Sequence, residues 1–145
     1  MRESPDNYDA ELLLRLYELR RDEKLRRARE WLVAKFQADS LEEFNKLGSE
    51  ENTLFRMSVS YWDMAASLVN HGLIKEDLFF ENTGEFWLAW EKVRHLAPAI
   101  REARKNPLTW KNLETLARKY EQWMAARAPE ALEATRQRLK AARNK

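Results

Sequence analysis

Cysteine is absent from the 145 residues, which removes disulfide frameworks, thiolate zinc sites and cysteine nucleophiles. Glycine occurs three times, too rarely for a fold of many tight β-turns or for a glycine-rich phosphate loop. No run approaches the roughly 18 apolar residues that carry a helix across a membrane, so no transmembrane segment is expected. The opening residues Met1-Arg2-Glu3-Ser4-Pro5 place no apolar stretch behind a basic one and do not read as a secretory signal. The expected location is therefore the cytoplasm. β-branched residues are scarce as well, which disfavours strands.

What is present favours helix. Leu, Ala, Glu, Lys and Arg dominate. Hydrophobic residues make up 44% of the chain, including six Trp, four Tyr and six Phe. That apolar content argues against disorder, and the length suits one domain. The expectation is an all-α fold: a single compact antiparallel bundle of five to seven helices, with a body over residues 1–128 and a basic helical extension over 129–145.

Periodicity places the helices. Ser4-Pro5 reads as a helix start, Ser as cap and Pro in the first turn. Leu12, Leu16 and Leu19 form one stripe, and Leu25, Ala28, Leu32 and Phe36 a second. At about 100° per residue the thirteen positions from Leu12 to Leu25 amount to a rotation of about 220°. A break near Arg20–Asp22, with Asp22 as the new cap, reconciles the stripes; one long helix buried on two sides is the alternative. Ser40-Leu41-Glu42-Glu43 is a capping-box pattern, with Gly48 as the expected end of that helix and Ser49 as the cap of the next. The helix to Gly72 is apolar over more than half its circumference and belongs in the middle of a bundle. Residues 75–82 suit one or two helical turns. Pro98 interrupts or kinks the next helix, Asn106-Pro107 is a turn, and Pro129 ends or bends the last strongly apolar helix. Beyond it only Leu132 and Leu139 are large and apolar, so the tail extends, frays or docks a second subunit.

The net charge of +2 conceals a pattern. Residues 36–91 carry a net −8, whereas 15–35 carry +4, 92–126 carry +5 and 127–145 carry +4. The basic arms either fold back on the acidic middle or present a face to phosphates. The densest basic run is Arg20, Arg21, Lys24, Arg26, Arg27 and Arg29, which solvates a helix flank or contacts phosphate backbones, without a helix-turn-helix motif.

Catalytic patterns are weak. His71 stands at a helix end as a cap, and Glu91 with His95 supplies two ligands where a catalytic metal site commonly needs three. Trp62, Asp63, Trp87, Trp90 and Arg94 are candidates to line a pocket, in which a half-buried Asp63 would act as acid or base. Core packing of the tryptophans and an Asp63–Arg pair are the simpler alternatives. No catalytic residue, metal or cofactor is implied.

The runs Leu13-Leu14-Arg15-Leu16-Tyr17-Glu18-Leu19-Arg20-Arg21, Ala28-Arg29-Glu30-Trp31, Leu68-Val69-Asn70-His71-Gly72-Leu73-Ile74, Trp90-Glu91-Lys92-Val93-Arg94 and Ile100-Arg101 resemble a bacterial family of uncharacterised helical proteins, a domain of unknown function. The resemblance spans about residues 10–125. It implies an all-helical fold and no assigned activity, and carries over no site residues. Some similar proteins have a membrane anchor ahead of the domain. The expected function is a non-enzymatic protein-interaction or regulatory module, with a protein partner or self-association. The alternative is nucleic-acid or phosphate binding through residues 15–35 and 92–145.

Overall fold

A computed structural model describes residues 3–143. Among these residues there are nine helices and no strands. They are α1 (Asn7–Leu19), α2 (Glu23–Ala34), α3 (Leu41–Asn45), α4 (Ser49–Asn70), α5 (Glu76–Asn82), α6 (Glu85–Val93), α7 (Ala97–Arg104), α8 (Lys111–Arg127) and α9 (Ala131–Arg143). The all-helical expectation holds, but five to seven helices is an undercount. Of the two outcomes expected at Pro98, interruption or a kink, the chain takes the first, and each such break adds a helix to the count. Pro98 has no amide to bond to the Arg94 carbonyl, and its ring crowds that carbonyl. The chain therefore turns at 94–96, and α7 starts afresh with Pro98 in its first turn.

The break between the first two stripes is real. α1 ends at Leu19, and the Asp22 carboxylate caps α2 by accepting from the Leu25 amide at 3.0 Å. The first cap is Asp6 and not Ser4. Asp6 accepts from the Tyr8 and Asp9 amides at 2.9 and 3.2 Å, and Asp9 accepts in return from the Asp6 amide at 3.0 Å, closing a capping box. Asp9 is fully buried and also accepts from the Lys75 amide at 2.7 Å, which ties the start of α1 to the start of α5.

Gly48 belongs to the following helix rather than the preceding one. α3 stops at Asn45 with Lys46 as its C-cap, one residue too early for Gly48 to close it. Gly48 is extended at φ −65° and is the N-cap of α4, its carbonyl accepting from the Asn52 amide at 2.9 Å. Ser49 is thus the first helical residue and not the cap. The far end of α4 is a Schellman closure. His71 is the C-cap, Gly72 adopts φ +80°, and the Gly72 and Leu73 amides donate to Val69 and Leu68, both at 2.9 Å. Only glycine takes that backbone region without steric cost.

α4 is the central helix, touching α2, α5, α6 and α8. Its buried residues run from Leu54 and Phe55 through Val59, Trp62, Ala65 and Ala66 to Val69. Ser58, also buried on this helix, donates its hydroxyl to the Leu54 carbonyl. Two aromatic groups flank α4. Phe55 packs against Phe36, Phe44 and Trp110, and Phe80 packs against Phe86, Tyr120 and Trp123. Trp62 and Trp87 are among the largest fully buried side chains and Trp90 is nearly so, the core role that apolar helical stripes favour. Like the five-residue α3, α9 has no buried residue, although it is thirteen residues long.

Candidate functional site

The basic run between Arg20 and Arg29 straddles the α1–α2 turn, and the structure divides it in two. Arg29 makes a bidentate pair with Glu85 at the start of α6, Nε and Nη2 at 2.7 and 2.9 Å. Arg20 reaches the same carboxylate at 3.7 Å while its guanidinium lies over the Tyr17 and Trp62 rings at 4.5 and 5.3 Å. Arg27 pairs with Glu50 at 2.9 Å. These three side chains are joints between the α1–α2 corner and the acidic middle. Arg21, Lys24 and Arg26 are exposed and have no carboxylate partner among the described residues.

Beside them the surface is apolar. Leu14 is 67% exposed, Leu19 43% and Met64 40%. Leu19 and Met64 share a groove of about 630 Å³ with Leu25, Met57 and Tyr61. A second depression, lined by Leu14, Tyr17, Arg21 and Arg26, lies on the other flank of the turn. The Tyr61 hydroxyl at the groove donates to the Leu16 carbonyl at 2.6 Å. Burial pushes its pKa up to about 12 against the lowering effect of Arg20 and Arg29, so it stays a neutral donor.

The five residues expected around a pocket do not all meet. Trp62 is buried beneath Arg20. Asp63 faces α8, where it accepts from the Leu113 amide at 2.9 Å. Burial raises its pKa, opposed by that amide and by Arg101. Trp90 is buried, and its indole nitrogen has no partner. Trp87 and Arg94 do come together, through Glu121 on α8. The Trp87 indole donates to it at 3.0 Å and Arg94 at 3.2 Å. None of these five lines the α1–α2 grooves or the cleft beneath α9.

Arg136 of α9 is the residue that sequence reasoning missed. It donates to Glu91 at 2.6 Å and to Glu121 at 3.0 Å, and lies over the Trp87 ring at 5.2 Å. One side chain thus clasps α6, α8 and α9. Nothing in its neighbours distinguished it from Arg138 or Arg143; the only available signal was the acidic surplus of 36–91, which has to be answered from elsewhere in the chain. Across the molecule that answer is explicit: Glu85 meets α1 and α2, Glu76 meets Lys119, Glu91 meets Arg136 and Asp39 meets Arg143. The basic arms fold back on the acidic middle. Among the described residues no helix is long and apolar enough to cross a membrane, and no three His, Asp or Glu gather as metal ligands.

A family model described as a domain of unknown function (DUF4760) matches residues 7–120, a segment that holds every run on which the sequence resemblance rests. No curated protein and no solved structure matches the chain.

Proposed function

We propose that this chain, which belongs to the DUF4760 family, is a non-enzymatic protein-interaction module whose α1–α2 corner takes an acidic, amphipathic segment of a partner protein. One observation carries the reading. Arg21, Lys24 and Arg26 lack carboxylate partners among the described residues; Arg21 and Arg26 line the depression with Leu14 and Tyr17, and the groove of Leu19, Met57 and Met64 lies at the same α1–α2 corner. Exposed apolar side chains grouped in this way mark contact surfaces. The cations beside them favour a negatively charged partner and speed its capture. In the same reading, residues 1–128 are the body and 129–145 an extension that leaves this corner uncovered.

Fluorescence anisotropy with labelled probes tests the proposal. An amphipathic helical peptide of Leu and Glu is expected to bind saturably and more weakly as salt rises. The triple variant R21E/K24E/R26E is expected to weaken it by about tenfold or more, the scale of about 1.4 kcal/mol. No saturable binding of the acidic peptide, or equal binding by the triple variant, overturns the reading. Tighter binding of a DNA duplex than of the peptide also overturns it and assigns the surface to phosphate backbones, whose affinity falls steeply with salt.

A further inference from the structure

We infer that the cleft beneath α9 is a binding site for a phosphate monoester carrying a small apolar group. The cleft measures about 230 Å³. It is enclosed by α9, by residues 36–39 that link α2 to α3, and by the end of α6. Drug-sized pockets begin near roughly 300 Å³, so this one takes a phosphate with a ring-sized substituent and little more.

The charges of its walls select the ligand. Lys92, Arg136, Lys140 and Arg143 face two carboxylates, Asp39 and Glu91. Both carboxylates are already engaged. Glu91 accepts from Arg136 at 2.6 Å, and Asp39 pairs with Arg143. In the amide orientation that satisfies both groups, the Gln37 oxygen also accepts from Arg143, at 3.0 and 3.1 Å. What remains is Lys92 on α6 and Lys140 on α9, neither with a carboxylate partner among the described residues. A surplus of two positive charges matches a dianion. Two ammonium groups are point charges on flexible stems, suited to phosphate oxygens that need no fixed planar geometry.

Lys92 is the more telling of the two. Burial, with Arg143 nearby, lowers its pKa, so its ammonium is held where a counter-charge is missing. The cleft is also framed before any ligand arrives. His95 Nε2 lies 2.6 Å from the Ala38 carbonyl; because a carbonyl only accepts, the proton sits on Nε2, and the contact pins the 36–39 segment to the end of α6. The remaining lining is apolar, with Phe36 from the body and Leu139 from α9. That wall has no use for a bare inorganic ion and accounts for the apolar substituent. A dianion between Lys92 and Lys140 would join α6 to an α9 that has no buried residue of its own.

Isothermal titration of the full chain with phenyl phosphate, inorganic phosphate and benzoate tests the site. Phenyl phosphate is expected to bind saturably at millimolar concentration, more tightly than either other probe. Lys92→Met and Lys140→Met are each expected to weaken it by about tenfold. Lys140 is exposed, so its variant reads the site even if Lys92→Met disturbs the fold. The inference is overturned by no saturable binding of phenyl phosphate, by equal affinity for benzoate or for inorganic phosphate, or by Lys variants that bind as the parent does.

Discussion

Glu114 on α8 is a buried carboxylate that gathers three cations. It is 8% exposed and receives Arg101 at 3.0 Å, Lys111 at 3.3 Å and Arg118 at 2.5 Å. Burial on its own would raise its pKa, but the three cations together hold it below the ordinary carboxylate value. A carboxylate depressed by folding stabilises the protein above its unfolded pKa, and that contribution is lost as pH falls through the folded value. Glu114→Gln should therefore cost about 2–4 kcal/mol at neutral pH, because the largely buried Arg101 loses its ion-pair partner. The cost should shrink below about pH 4 as the parent itself protonates; urea denaturation at the two pH values checks both parts. Gly84 makes a second residue-scale prediction. A Cβ there would lie 2.8 Å from the Tyr120 hydroxyl, and Tyr120 is held by Phe80 and Phe86. Gly84→Ala should destabilise by about 1–3 kcal/mol. Adding Tyr120→Phe, which removes the crowded oxygen, should restore most of the melting temperature. Neither effect was legible in the sequence, since Glu114 and Arg101, or Gly84 and Tyr120, are brought together only by packing.

Elements were more legible, because their signals are local. The phase slip between Leu12 and Leu25 and the capping capacity of Asp22 located the α1–α2 break, and both lie within one stretch of chain. Boundaries moved where two local signals competed. Ser4 was the expected cap of α1, and Asp6 takes that place because Asp9 answers it across one turn. α9 is the element about which local signals said least. It is held by Arg136, by the Arg143–Asp39 pair and by partly buried Leu132, with no buried side chain. Such a helix opens locally at low cost. Arg136→Ala should lower global stability by only about 1 kcal/mol, since the pair is partly solvated. It should nevertheless raise amide exchange across residues 131–143 markedly. Salt should do the same to the parent by screening the clasp; equal exchange in parent and variant would show that the clasp does not hold the helix.

At the scale of the whole molecule, the family match ends at residue 120, short of α9. A chain ending at Ala128 is accordingly expected to keep its helical circular dichroism and a single cooperative thermal transition, with a modestly lower midpoint; loss of cooperativity would make α9 part of the folding unit. The sequence alone determined that the chain is helical, roughly where it turns, and which stripes are apolar. Those properties arise from propensity, periodicity and caps that act within a few residues. It also exposed the acidic centre between basic arms. Only the tertiary structure decided which charges answer each other. Arg20 and Arg29 go to Glu85, Arg136 goes to Glu91 and Glu121, and Arg21, Lys24, Arg26, Lys92 and Lys140 have no carboxylate partner among the described residues. A charge's partner is set by which helix faces which across the core, and one-dimensional spacing does not contain that information. The surplus cations on which both proposals rest therefore became visible only once the helices were packed.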